Sequence, residues 1–369
     1  MKQKKVLVIT NMYPTSKYKS FGIFVKNQVD ALQKRGLWID VLAVTNPNSG
    51  KVNVMKKYSV WLLQTVSNLL TKGKSYDVVH AHYVFPSGLL GLLFKKLFKS
   101  RLIVTAHGGD IDKMAKKSKR LHDLTKTILH HADHVIAVGQ DLYSEITTHF
   151  QVDPQKVSII NMGVNRQVFK PQEKAAAREV CGMAPDQKAV LFVGNLLKQK
   201  GLMELVESIS LINKNAPDQP VHLFIIGAEK DPSFKQKLDA KIAERRLQTL
   251  IHFQGTKSQS EIATWMNAAD CLVLPSHIEG FGLVALEAMA CGTPVIGTNV
   301  GGLKNLLSDG AGVTIPVKNP EELAKAILHV LSSEEIRTNF IKNGFKKAEE
   351  NDQERMLNQV MEVYFPTGG

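Results

Sequence analysis

Short runs rich in Val, Ile and Leu, each followed by a loop and a stretch of helical period, recur along the 369 residues, and no other feature constrains the fold as much. In the first half the spacing predicts strands at Val6–Thr10, Ile39–Val44, Asp77–Ala81, Leu102–Ala106, His134–Val138 and Val157–Asn161. A turn-rich stretch, Arg166–Lys188, carries Pro171 and Pro185 and reads as a linker. The alternation then restarts, with strands expected at Ala189–Val193, Val221–Ile226, Ile251–Gln254, Cys271–Pro275, Pro294–Gly297 and Gly312–Ile315. Near-continuous apolar strands joined by helices are parallel strands covered on both faces. The fold class is therefore α/β, with two doubly wound units in tandem. Such sheets take ligands beyond the carboxyl ends of their strands. Two units facing each other would enclose a cleft, and every motif below falls in a loop that follows a strand.

Composition narrows the class. With 44% hydrophobic and 22% charged residues the chain is globular rather than disordered or fibrous. Cys181, Cys271 and Cys291 are odd in number and widely spaced, which argues against a disulfide framework and a zinc site and fits a reducing cytoplasm. The N-terminal MKQKKVLVIT reads as a first strand, since it lacks the length and cleavage site of a signal peptide. No run of about 18 apolar residues is present, so no membrane-spanning helix is expected. The charge is lopsided: residues 1–170 hold 26 Lys+Arg against 10 Asp+Glu, and the remainder 21 against 24. That asymmetry predicts an anionic partner on the first half.

The segment Pro275–Gly297, PSHIEGFGLVALEAMACGTPVIG, carries the most chemistry. A strand ends at Pro275, a loop holds Glu279, Gly280 and Phe281, and a helix begins near Gly282. The backbone amides of Gly282, Leu283 and Val284 would form an open helix N-terminus, which suits an anion. A diphosphate there would place Glu287, one turn on, near a ribose and Glu279 near sugar hydroxyls. Two solvated glutamates at a helix end would show the same spacing. The flanking Gly-Phe-Gly, the small-residue helix and the Gly-Thr-Pro turn make the pattern specific.

This segment resembles the E-x7-E signature of the retaining GT-B glycosyltransferases of group 1, or family 4, and the likeness extends over nearly the whole chain. It implies a GT-B fold, two doubly wound Rossmann-like domains facing across a cleft. In Phe192–Gly201, FVGNLLKQKG, the resemblance assigns Gly194 and Lys200 to the donor diphosphate, while Asn195 stands where relatives carry Arg. Asn supplies no fixed charge, so either Lys198 compensates or one phosphate oxygen receives only a neutral hydrogen bond. In Thr105–Asp110, TAHGGD, it places His107 at the base of the cleft near the reacting centre, with Asp110 beside it. In the loop Asn11–Gly22 it makes Gly22 the point where backbone approaches the donor phosphate. His80 and His82 end another strand. A His-x-His pair can bind metal, but no nearby Cys or carboxylate completes a set and the family is metal-independent. His80 and His82 are therefore read as cleft-lining or acceptor-side residues, with burial in the core equally open, and Asp110 is placed with His82 on the acceptor side. Asn161–Asn165 resembles the hinge that closes the first domain. The expected domains are then 1–168, joined by a C-terminal helix 352–369, and 169–351.

What the resemblance implies is transfer of a sugar with retention from a nucleotide sugar, expected to be a UDP-hexose or UDP-N-acetylhexosamine, without metal or cofactor. Domain closure would exclude water. The basic first half favours a lipid-linked or phosphate-bearing acceptor used in building a cell-surface polysaccharide or glycolipid. Alternatives are a small soluble acceptor, a sugar-nucleotide epimerase, a phosphorylase, or a non-catalytic protein that binds an anionic surface. The segments Lys56–Lys74, Leu89–Arg101 and Lys113–Arg120 interleave apolar and basic residues. They fit helices on an acidic membrane, and equally core-facing helices with a solvated lysine side. The expected location is cytoplasmic, peripheral at the inner face of the membrane. No aromatic platform or recognition motif points to nucleic acid.

Overall fold

The structure, a computed structural model, describes residues 3–19, 21–48, 50–215 and 218–366, apart from the side chains of Asp112 and Lys113. The chain divides into two units, 1–162 joined by 354–369, and 163–353.

In the first unit the described elements run β1 (Lys5–Thr10), α1 (Ile23–Lys34), β2 (Trp38–Ala43), α2 (Lys51–Lys72), β3 (Val78–His82), α3 (Leu89–Phe98), β4 (Arg101–Ala106), α4 (Lys119–His131), β5 (His134–Ala137), α5 (Gln140–Ser144) and β6 (Val157–Ile159). The strands form one sheet in the order β2-β1-β3-β4-β5-β6, and every pairing is parallel. Because β1 is flanked by both β2 and β3, chain order reverses between β1 and β3, which makes that place the switch point of the sheet.

The second unit repeats the plan with α6 (Lys174–Cys181), β7 (Lys188–Val193), α7 (Leu202–Asn215), β8 (Val221–Ile226), α8 (Pro232–Glu244), β9 (Ile251–Gly255), α9 (Gln259–Ala268), β10 (Cys271–Leu274), α10 (Leu283–Cys291), β11 (Val295–Thr298), α11 (Gly301–Leu306), β12 (Val313–Ile315), α12 (Pro320–Ser332) and α13 (Glu334–Glu350). Its parallel sheet has the order β12-β11-β10-β7-β8-β9, so the switch point lies between β7 and β10. A last helix, α14 (Gln353–Tyr364), returns to the first unit, where Met356, Leu357, Val360 and Tyr364 pack against Val6, Val8 and Val29.

Two expectations need correction, and a third, left open between a membrane face and the core, divides. The stretch expected to be a linker contains α6. Its eight residues are too few to show a period, yet Glu173 caps its first amides and the buried Arg178 forks onto both Asp270 oxygens at 3.1 Å. The unit boundaries fall at 162/163 and 353/354 rather than 168/169 and 351/352. Val164 and Phe169 are buried with Ala189, Leu191 and Leu272, and the Val164 amide donates to the Asn351 carbonyl at 2.9 Å. The two lysine-rich helices also differ. Helix α3 faces the core through Leu90, Leu92 and Phe94, whereas α2 buries only Trp61 and Thr65 of its 22 residues. In the third basic segment Lys116, Lys117, Lys119 and Arg120 are exposed, and the Lys113 side chain lies outside the described residues.

Candidate donor and acceptor sites

In the second unit the site is built at the switch point. Strand β7 runs out through Gly194 and the exposed Asn195 into a tight turn that carries Lys200. Gly201 ends that turn at φ +71°, where a Cβ would lie 1.9 Å from the Pro275 carbonyl oxygen. Only glycine lets the turn rest on the end of β10. The result is a contact between two loops far apart in sequence: Lys200 Nζ lies 2.7 Å from Glu279 Oε2. Ser276 Oγ donates to the same oxygen at 3.1 Å. Sequence reasoning sent Lys200 to the diphosphate and Glu279 to the sugar as separate groups; the structure brings them together as a partly buried ion pair.

The loop holding Glu279 is clamped from the far side by the start of α11. Gly301, at φ +48°, approaches so closely that a Cβ would lie 1.8 Å from the Glu279 carbonyl oxygen. The Gly302 amide donates to the Gly280 carbonyl at 3.0 Å. Phe281 packs onto the core, and Gly282 opens α10. The amides of Leu283 and Val284 therefore stand in a first turn that no preceding helical carbonyl can satisfy, and that turn carries no acidic side chain. Glu287 lies on the same helix. Burial pushes its carboxyl up to about 8, so that near neutrality it holds a proton.

In the first unit the ends of β3 and β4 carry a ladder of three histidines. His80 Nδ1 meets the Tyr364 hydroxyl at 2.6 Å, and its Nε2 meets Thr105 Oγ1 at 2.7 Å. His82 stacks on His80 with ring centroids 4.2 Å apart. Its Nδ1 lies 3.1 Å from His107 Nε2. The rings of Phe24 and Tyr83 flank His107 at 5.0 and 4.6 Å. Burial holds all three imidazoles below their ordinary range, His80 and His107 at about 3, so the ladder is uncharged. Of the three only His107 is partly exposed.

The structure places His82 and Asp110 behind His107, not on a surface that an acceptor can reach. His82 is fully buried, with Nε2 lacking any partner among the described residues. Asp110 is buried too, and its oxygens accept from the amides of Val84 at 2.8 Å and His107 at 3.1 Å. Burial raises its carboxyl, against the pull of those amides. Both residues position His107 instead. Gly22 precedes α1 and lies against the Met12 carbonyl, at the end of a loop whose Ser20 is outside the described residues.

Residues 22–168 match the family described as Glycosyltransferase Family 4, and residues 173–347 match Glycosyl transferases group 1. An uncharacterized glycosyltransferase of Methanocaldococcus jannaschii is 30% identical over 80% of this chain and 77% of its own length. The chain belongs to the group 1, family 4 glycosyltransferases. It is also similar to the D-inositol 3-phosphate glycosyltransferase of Paenarthrobacter aurescens, at 31% identity over 68% of this chain, and spans 63% of that relative's length. In fold, a solved structure of Anabaena HepE in complex with UDP-glucose superposes with a TM-score of 0.78 at 18% identity, covering 97% of this chain and 98% of the other. The architecture is GT-B, with two Rossmann-like units.

Around Glu279 sequence reasoning did not anticipate Ser276, the Gly301–Gly302 clamp or a neighbouring pair, His277 Nε2 to Glu204 Oε1 at 3.0 Å. The signal for the clamp was present: two consecutive glycines follow a strand and open a helix. Nothing in the spacing pointed to Ser276 or to His277.

Proposed function

We propose that this glycosyltransferase moves a hexosyl or N-acetylhexosaminyl group from a UDP-sugar to a lipid-linked or phosphate-bearing acceptor, with retention and without a metal. The observation that carries the proposal is the Lys200–Glu279 pair beside the open N-terminus of α10, at the switch point of the second sheet. The leaving group is a nucleoside diphosphate, so the transition state needs positive potential where negative charge grows. Lys200 and the amides of Leu283 and Val284 supply it. A diphosphate that draws Lys200 leaves Glu279 free to accept from sugar hydroxyls. Glu287 takes the ribose, and His107 serves the sugar near the reacting carbon. Asn195 contributes a neutral hydrogen bond where relatives carry a charge.

Uridine as the base is supported by the UDP-glucose complex of the Anabaena neighbour. A phosphate-bearing acceptor is supported by the name of the Paenarthrobacter relative and by the basic first unit. The proposed setting is the inner face of a cell membrane, in the synthesis of a surface polysaccharide or glycolipid. Saturation-transfer NMR with UDP-, GDP- and ADP-sugars, on wild type and Glu287→Ala, is the test. Binding of one nucleotide sugar that the variant loses supports the proposal; no binding, or binding indifferent to the variant, overturns it. Product analysis with and without acceptor then separates transfer from epimerisation.

A further inference from the structure

Helix α2 packs sparsely for its 22 residues. Trp61 and Thr65 alone are buried, and its other residues are partly or fully exposed. Large apolar side chains nevertheless occupy the solvent side: Val52 and Leu70 are each 79% exposed, Met55 71%, Leu63 69%, Leu62 49% and Val66 43%. At about 100° per residue these six fall within one arc of roughly 100°, turned away from Trp61 and Thr65. The stripe runs from Val52 to Leu70, on the order of 27 Å of helix. No acidic residue occurs in α2, while Lys51, Lys56, Lys57 and Lys72 do. Lys57 donates to the carbonyls of Asn46 and Asn48, and Lys72 pairs with Asp40 at 3.2 Å. Lys51 and Lys56 extend into solvent.

The neighbouring α3 continues the pattern. Gly73, just past α2, abuts the Phe98 ring so tightly that a Cβ would lie 2.1 Å from it. Helix α3 then exposes Leu89, Leu93 and Leu97 at intervals of four, with Lys95, Lys96 and Lys99 close by in sequence.

We propose that α2 is an in-plane docking helix for an anionic lipid bilayer, its Val52–Leu70 stripe sunk among the acyl chains and its free lysines at the headgroups. An apolar stripe of this length, broken only by the exposed Ser59, costs solubility in water and is matched by hydrocarbon. Lysine stems reach back from such a stripe to place ammonium groups at lipid phosphates. Charge selects this occupant over a second copy of the chain. Two α2 stripes face to face would bring lysines together with no carboxylate on either helix to offset them. The inference narrows the proposed membrane setting to one surface, and its test separates the two.

The full chain is sedimented with vesicles of phosphatidylcholine or of phosphatidylglycerol, and donor binding is followed by NMR on the same samples. Wild type is expected to bind phosphatidylglycerol vesicles and to release them in high salt. The double variant Leu63→Asp/Leu70→Asp should bind at least about tenfold more weakly. Lys51→Glu/Lys56→Glu should lose the preference for phosphatidylglycerol. Both should keep donor binding and melting temperature, since all four side chains are exposed. Failure of wild type to bind vesicles, equal binding by the Asp variant, or a dimer that the Asp variant dissociates would each overturn the docking assignment. Vesicle binding without donor binding would instead overturn the transferase proposal and leave the docking helix standing.

Discussion

Glu287 offers the sharpest test of the donor site, because its protonation reports on what sits beside it. Burial raises its carboxyl from the ordinary 4.5 to about 8. At pH 7 a group with that value is about nine-tenths protonated. Ribose hydroxyls that donate to the carboxylate favour the charged form and return the group toward its ordinary value. Binding of a nucleotide sugar should therefore release about 0.9 proton at pH 7 and about 0.1 at pH 9, where the free protein has already lost it. Affinity should rise almost tenfold per pH unit up to about 8 and then level off. A nucleotide sugar is the right probe, since its diphosphate diester has no proton of its own to lose near neutrality.

Calorimetry in phosphate and in Tris at matched pH reads the release directly, through the difference in buffer ionisation enthalpy. Glu287→Gln should bind with no linked proton. The same shift fixes the sign of the stability profile. A carboxyl raised in the folded state holds its proton where the unfolded chain has lost it. Its contribution is thus present below about 4.5 and falls by about 1.4 kcal/mol per unit as pH climbs toward 8. A wild type that binds donor without proton release, or a Gln variant with the same release, refutes the placement of the ribose at Glu287.

The other predictions follow from single contacts. Lys200→Ala removes the cation that Glu279 now holds at 2.7 Å; nucleotide-sugar affinity by calorimetry should fall about 10- to 150-fold, the worth of one charge-assisted contact of about 1.5–3 kcal/mol. Gly301→Ala drives a methyl into the Glu279 carbonyl from a position 1.8 Å away, so donor binding by NMR should drop more than the loss of roughly 1–3 kcal/mol in stability implies. In the first unit, the neutral ladder must charge when the chain unfolds in acid. His80 and His107 sit at about 3 folded against 6.5 unfolded, so their contribution is present above about 6.5 and lost as pH falls toward 3. Hydrogen exchange in β3 and β4 should quicken through that window, and a flat profile would contradict buried neutral imidazoles. Tyr364→Phe strips the 2.6 Å partner from His80 and should cost about 1–3 kcal/mol in urea unfolding.

The twelve strands were legible because a buried parallel strand writes its burial as an unbroken run of Val, Ile and Leu. Val221–Ile226 falls on the expected residues, and most other ends move by a residue or two, within the range over which strand ends fray. Helix α6 was not legible, since Pro171 and Pro185 dominate a window in which eight helical residues leave no period. Nor was the isolation of α2. A stripe of Leu and Val at helical spacing reads alike whether it faces a core or nothing, and only the packing of β2 and α2 decides.

The two sites were unequally legible for a physical reason. The donor loop depends on backbone meeting backbone, at Gly201 against Pro275 and at Gly301 against Glu279, and such contacts demand glycine and so leave a mark in the sequence. The ladder in the first unit depends on side chains brought from three places. His82 and His107 lie 25 residues apart, and His80 and Tyr364 lie 284 apart. A buried histidine and a surface one are the same letter, so the sequence left His82 open between an acceptor-side and a buried position, and nothing in the pattern put it behind His107. The hydrogen bond between them fixes which nitrogen of His107 carries the proton. An unpartnered lone pair at His82 Nε2 is tolerated more readily than an unpartnered buried N–H. His82 Nδ1 is then the donor, His107 Nε2 accepts, and the proton of the neutral His107 sits on Nδ1. On that assignment a sugar oxygen placed at His107, as proposed, would receive a hydrogen bond and lose no proton to it, and the residue that sets this polarity is the buried His82.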